Sequence, residues 1–226
     1  MITALIVAGG RGQRLGGPIP KQYRLLDHLP IIRHTIAAFQ SHGAIDRVRV
    51  VIHPDDQALY HQATAGADLP PPLLGGATRQ ESVRRGLEGL ESDPPDLVLI
   101  HDAVRPFIAG ATIGAVIAAL RHTPGAIAGV PLADTLKRCR DGKITGTVER
   151  TDLWRAQTPQ GFHYRPLLDA HRAAFRDNPD RQDFTDDAAI AEAAGLAVAM
   201  VPASDDNFKI TTEDDLARAI FILQNR

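Results

Sequence analysis

The chain has 226 residues, a formal net charge of −2 and one cysteine, Cys139. The length fits one large α/β domain or two small ones, and the near-neutral charge gives no electrostatic reason for nucleic acid or an acidic membrane surface as a partner. One cysteine excludes an internal disulfide, and no apolar run has the length of a signal peptide or membrane span, so a soluble cytoplasmic protein is expected.

The first element, Ile2–Val7, is short and apolar and is expected to be a buried strand. It opens into AGGRGQRLGGPIPKQY, which carries five glycines, Arg11, Arg14 and Lys21, and no acid. Further strands are expected at Val48–Ile52, Leu97–Ile100, Ala126–Val130 and Ala197–Val201. Helical spacing marks Ile31–Gln40, Asp55–Ala65, Arg79–Leu90, Ala111–Arg121, Arg165–Phe175 and Asp186–Ala194. A last helix, Thr212–Leu223, starts with a threonine cap and acids in its first turn. The alternation implies an α/β fold with a mostly parallel sheet and helices on both faces. Ligands in such sheets bind beyond the carboxyl ends of strands.

One segment departs from the alternation. Asp141-Gly142 is a two-residue hairpin turn between extended runs. Pairing about it sets Cys139 against Ile144 and Thr135 against Val148. An isolated hairpin is marginal in water, so it packs either on a second copy of the chain or back on its own domain. The simplest parse is a single domain over 1–226 with a protruding β-hairpin arm at about 133–155.

The opening loop fails two familiar phosphate motifs. Gly12 and Gly17 have the Walker spacing, but Pro18 stands where lysine is required. Gly10 and Gly12 start a dinucleotide fingerprint, but Leu15 takes the third glycine position. What remains is a permissive backbone whose amides can form an anion nest, ringed by cations. An ordinary βα turn would have no reason to carry three cations without an acid.

This loop resembles the signature of nucleotidyltransferases, and its PKQY ending resembles the 2-C-methyl-D-erythritol 4-phosphate cytidylyltransferase family. The likeness extends through GGATRQESVRRGL, LIHDAVRPF, DTLKR, WRAQTPQGF, FTDDA and NFKITTEDDL, in the family's order. It implies a Rossmann-like nucleotidyltransferase domain and a homodimer joined through the arm. It also implies a Mg²⁺-dependent transfer from CTP to methylerythritol phosphate. The attacking monoester is already mostly dianionic at neutral pH, so the reaction needs cations more than a base.

By that resemblance, Arg14, Lys21 and Lys209 are catalytic. Ala8, Gly9, Gly10, Gly75, Gly76, Arg79 and Ser82 bind CTP. Asp102, Thr135, Arg150, Thr158 and Thr185 serve the polyol phosphate, with Gln160 as a further candidate. Asp102 is also the metal candidate, directly, through water, or only through the polyol. From the residues alone, Asp102 could equally cap its loop and Lys209 could be a solvated strand-end lysine. His101 is expected to be packed, Arg105 to tie the loop together, and Asp187 to be a helix N-terminal acid. The rival readings are a ribitol-5-phosphate cytidylyltransferase and a catalytically inactive nucleotide-binding protein. Some members of the family are fused to a cyclodiphosphate synthase, so the chain is expected to be either complete or one half of a fusion.

Overall fold

The computed structural model describes residues 1–10, 19–177 and 184–225. Its strands are β1 (Ile2–Ala8), β2 (Leu25–Leu26), β3 (Leu29–Pro30), β4 (Arg47–Ile52), β5 (Leu73–Leu74), β6 (Leu97–Asp102), β7 (Gly125–Pro131), β8 (Leu136–Arg140), β9 (Lys143–Val148), β10 (Trp154–His163) and β11 (Val198–Pro202). The helices are α1 (Ile31–Gln40), α2 (Gln57–Ala63), α3 (Arg79–Glu88), α4 (Gly110–Ala119), α5 (Tyr164–Asp177), α6 (Asp187–Ala193) and α7 (Glu213–Gln224). The helix expected from Asp55 begins as a 3₁₀ turn, Pro54–Asp56, and becomes α-helical only at Gln57.

The main sheet has the order β11-β7-β10-β6-β1-β4-β5. All its neighbours are parallel except β10, which runs antiparallel to β6 and β7. Successive residues of β1 face opposite sides. Ala4, Ile6 and Ala8 join the core under α1 and α4, while Leu5 joins the core under α3, α5 and α6. That period-two split, with both faces apolar, is why the strand reads as one continuous apolar run. A third cluster, including Leu26, Ile31, Val104, Ile210 and Leu216, docks the segment before α7 onto the loop after β6.

No element was expected at Trp154–His163, yet it forms a central strand. Its polar residues Gln157, Thr158 and Gln160 are buried. Their side chains hydrogen-bond to Ser204, His101 and Asp186 inside the protein, so the polar pattern conceals a core strand. Downstream, Phe162 is fully buried and crowds Gly125 on the adjacent strand, where an added Cβ would come within 2.6 Å of the ring.

The arm is a two-stranded sheet of β8 and β9. Its turn residues Asp141 and Gly142 have φ of 50° and 75°, the left-handed values a tight hairpin turn requires. Cys139 faces Ile144 as expected, but the expected Thr135–Val148 pair is wrong: Leu136 faces Val148. A register shift between Arg138 and Cys139 is the reason, because an extra residue on β9 slides the pairing beyond it. The arm closes where Leu132 N donates to the Leu153 carbonyl at 2.9 Å, and Trp154 and Arg155 already pair with Pro131 and Val130 of the main sheet.

Gly125→Ala is expected to cost about 1–3 kcal/mol by overpacking against Phe162. Adding Phe162→Leu should recover part of that loss in urea unfolding. Strictly additive losses would show that the two residues do not share this contact.

Candidate active site

The carboxyl ends of β1, β4 and β6 open into a cleft of about 560 Å³. β1 lies between β4 and β6, and the chain crosses from one side of it to the other, which creates the crevice where ligands bind in such sheets. The 3₁₀ turn Lys21–Tyr23 brings Lys21 to one wall. The first residue of α3, Arg79, lies on another, and Lys209 arrives from the segment before α7.

Asp102, the last residue of β6, is the centre of the arrangement. Its side chain is only 9% exposed. Lys209 Nζ lies 3.0 Å from Oδ2, Arg105 Nε 3.2 Å from Oδ2, and Arg79 Nε 3.4 Å from Oδ1. Burial alone would raise the Asp102 carboxyl, but Lys209, Arg79 and Arg105 together hold it well below the ordinary carboxylate range. It therefore stays ionised. Arg79 also reaches behind the cleft, where Nη2 donates to Asp187 Oδ2 at 2.8 Å. Asp187 is fully buried, and its carboxyl is held low against burial by Arg79 and His171. Asp187 does open the first turn of α6 as expected, but its carboxylate is also buried in an ion pair with Arg79, which the helix position does not show. Its neighbour Asp186 is the N-cap, accepting from Ala189 N at 3.0 Å.

Arg79, Arg105 and Lys209 against Asp102 and Asp187 leave one positive charge in excess, and Lys21 lines the same cleft. Such a wall attracts anions and has little dielectric screening. Among the described residues, no three His, Cys, Asp or Glu side chains form a metal-binding group.

A chain of buried hydrogen bonds supports Asp102 from behind. Asp102 N donates to Thr158 Oγ1 at 3.1 Å, and Thr158 Oγ1 lies 3.0 Å from His101 Nδ1. His101 Nε2 lies 3.1 Å from the Arg105 carbonyl, which can only accept. This assigns the proton to Nε2 and leaves Nδ1 to accept from the threonine hydroxyl. His101 is fully buried, as its packed reading expects. Buried Asn207 donates to Gln157 Oε1 and the Thr158 carbonyl at 2.8 and 2.7 Å, and its own carbonyl takes Arg105 Nη1 at 2.8 Å. Ile210 N donates to the Val104 carbonyl at 3.0 Å. These bonds hold Lys209 beside Asp102 although 107 residues separate them.

The structure brings together Ala8, Gly9, Gly10, Lys21, Arg79, Ser82, Asp102 and Lys209 at the cleft. Arg14 lies outside the described residues. Gly75 and Gly76 sit beside the cleft: Gly75 N donates to the Ile52 carbonyl at 2.8 Å, and Gly76 N donates to Ser82 Oγ at 3.1 Å. A Cβ on Gly75 would lie 2.7 Å from Ser82 Oγ, so the turn approaches α3 as closely as it does only because it is glycine. Thr158 does not line the cleft; its hydroxyl is committed behind Asp102. Thr135, Arg150 and Thr185 are exposed and line no part of this cleft. Sequence reasoning missed Gln22, whose buried amide donates to the Ala8 carbonyl at 2.7 Å and ties the Lys21 turn to the end of β1. It also missed the ion pairs of Arg79, whereas Arg105 ties the loop together as expected, through Asp102 and the Asn207 backbone carbonyl.

A family model for 2-C-methyl-D-erythritol 4-phosphate cytidylyltransferase matches residues 2–225. A bifunctional IspD/IspF enzyme of Paramagnetospirillum magneticum is 55% identical over 217 residues, covering 96% of this chain and 55% of that protein. The counterpart from Rhodospirillum rubrum is 54% identical and covers 96% and 56%. The chain thus spans about half the length of the curated relatives it matches. A crystal structure of 4-diphosphocytidyl-2C-methyl-D-erythritol synthase superposes with a TM-score of 0.84 at 31% identity, covering 98% and 97% of the two chains. The cytidylyltransferase of Francisella tularensis gives 0.82 at 28%, covering 97% and 98%.

The buried histidine carries a pH prediction. Burial lowers His101 to about 4, against an unfolded value near 6.5. The folded chain then binds fewer protons than the unfolded chain between those values. The stability contributed by neutral His101 is complete above the unfolded value and is lost as pH falls toward the folded one. Urea unfolding should lose about 3 kcal/mol from this group between pH 7 and pH 4. His101→Gln should flatten that slope; an unchanged slope would remove His101 as its source.

Proposed function

The chain belongs to the 2-C-methyl-D-erythritol 4-phosphate cytidylyltransferase family, and from that premise we propose that it joins CTP to 2-C-methyl-D-erythritol 4-phosphate. A phosphate oxygen of the monoester attacks the α-phosphorus of CTP. The bond from that phosphorus to the α–β bridging oxygen breaks, and the electron pair leaves with pyrophosphate. The product is 4-diphosphocytidyl-2-C-methyl-D-erythritol.

The observation that carries this reading is the convergence of Lys21, Arg79 and Lys209 on a cleft whose one lining acid, among the described residues, is Asp102. The nucleophile needs no base, since its second pKa is about 6. The barrier is repulsion between two highly charged phosphates, and fixed cations lower it. Lys21 and Lys209 stand on different elements and would reach the α-phosphate from two sides. Arg14 would add to the triphosphate contacts. The backbone of Ala8, Gly9, Gly10, Gly75 and Gly76, braced by Ser82, would read cytosine in a pocket too tight for a purine.

Mg²⁺ is the proposed cofactor, and the donor set fits it. Magnesium is commonly held by one or two carboxylates with substrate phosphates and waters completing its shell. Asp102 is ionised and lines the cleft, so it would hold the ion directly or through water. When bound, the ion supplies charge neutralisation among the phosphates.

The arm supports a shared site in a homodimer. It carries the exposed apolar side chains Leu136, Ile144, Leu153 and Trp154. Covering them with a second copy would carry Thr135 and Arg150 away from their own cleft and toward the other. Thr185 would reach the polyol from its own chain. Among the described residues, no helix is long and apolar enough to cross a membrane.

Pyrophosphate release from CTP with Mg²⁺ tests the reading, with methylerythritol phosphate and ribitol 5-phosphate in parallel and ATP, GTP and UTP as controls. Turnover is expected with CTP and methylerythritol phosphate. Turnover with ribitol 5-phosphate alone would move the enzyme to the other alditol phosphate, and silence with both would leave a nucleotide-binding protein. Lys21→Ala should keep the fold and lose about a hundredfold in kcat. Mixed Lys21→Ala and Arg150→Ala chains, once subunit exchange is verified, should regain activity; no rescue would count against a site shared between subunits.

A further inference from the structure

The cation wall has a second, hidden anchor. Arg79 is the first residue of α3 and extends its guanidinium between two carboxylates on different elements. Nε faces Asp102 Oδ1 at 3.4 Å on the cleft side, and Nη2 donates to Asp187 Oδ2 at 2.8 Å behind it. The shorter, better bond is the one that no solvent reaches. Asp187 is completely buried, as is the side chain of His171 on α5, whose Nε2 lies 3.3 Å from the other Asp187 oxygen. Asp187 is fixed by its backbone as well. Gln160 Oε1 accepts from the N–H groups of Asp187 and Ala188 at 3.0 and 3.1 Å, while Gln160 Nε2 donates to Asp186 at 2.8 Å. A strand of the main sheet thereby holds the start of α6, and the start of α6 holds Arg79.

We infer that Asp187 is a positioning residue: by holding Arg79 from behind, it decides how the guanidinium is divided and so where Asp102 and Lys209 stand when substrate arrives. This rests on the cytidylyltransferase reading for its consequence in turnover. An arginine shared in this way is presented to Asp102 through Nε alone. Without the Asp187 charge, the guanidinium is free to turn its fork onto Asp102, because a bidentate arrangement is the preferred one for this pair. Lys209 would then lose its place 3.0 Å from Asp102 Oδ2. At the same time the cleft wall would gain one uncompensated positive charge, which favours an incoming triphosphate. The two effects separate binding from chemistry. Asp187→Asn should bind CTP no more weakly than the original chain and turn over at least tenfold more slowly. Damage to the fold would weaken both together.

The test is made on the full chain, comparing the original protein with Asp187→Asn, in CTP calorimetry, in kcat and KM for CTP, and in the ¹³C signal of the Asp102 side-chain carboxyl, assigned by its loss in Asp102→Asn. The expected result is a kcat at least tenfold lower, a CTP dissociation constant within twofold of the original or tighter, and a displaced Asp102 signal. A folded variant with kcat within twofold of the original overturns the inference, as does a loss confined to CTP affinity. If Asp187→Asn does not fold, Asp187→Glu keeps the charge one methylene further out and should fold with reduced kcat and retained CTP affinity; full kcat in that variant overturns the inference. If the original chain shows no turnover with CTP and methylerythritol phosphate, the proposed function fails by itself. The Asp102 signal then decides alone: displacement supports the positioning by Asp187, and an unmoved signal overturns it.

Discussion

One buried carboxylate sets the terms for the rest of the site. Asp102 ends a core strand, so its backbone is committed to the sheet while its charge must be satisfied at the rim. An ionised carboxylate taken out of water is costly unless it is paired and hydrogen-bonded. The chain satisfies it with three cations from three places: Arg79 from α3, Arg105 from the loop after β6, and Lys209 from the segment before α7. Each of these must in turn be held. The buried bonds of Asn207, the third apolar cluster and the Asp187 pair are the means.

That requirement joins fold and function. Removing one partner of a buried ion pair typically costs about 3–5 kcal/mol, so the cluster constrains the cleft walls as strongly as a sizeable part of the core does. A cleft wall organised around a carboxylate ends up with an excess of cations at fixed positions. Fixed cations need no reorganisation when a charged substrate enters, which is the condition under which electrostatic stabilisation is largest. On the proposed reading, the same groups that make Asp102 tolerable also prepare the site for phosphates.

Much of this was legible in the residues, for definable reasons. β1, β6 and β7 are largely apolar on both faces, and that pattern survives in one dimension. The Thr212 cap of α7 is local chemistry, and the structure contains the full capping box with Asp215. Lys21, Asp102 and Lys209 were assembled by motif likeness, since nothing in spacing joins residues so far apart. What escaped was whatever depends on who is buried beside whom. β10 looked like a loop because Gln157, Thr158 and Gln160 are polar, yet each is satisfied inside the protein. Asp187 is the first-turn helix acid it looked like, but its burial against Arg79 and His171 depends on elements far away in sequence. The hairpin turn was legible from Asp141-Gly142, but the register shift next to Cys139 leaves no mark in composition.

The central claim is that the cleft works by charge compensation, with no proton transferred in the chemical step. The most direct test is the solvent deuterium isotope effect on single-turnover pyrophosphate formation, with enzyme in excess over CTP and at a pH well above the second ionisation of the alditol phosphate. The account predicts a ratio of about 1, since the nucleophile arrives already deprotonated and no side chain carries a proton to the leaving group. A ratio of about 2 or more would contradict it and require a general acid or base in the cleft.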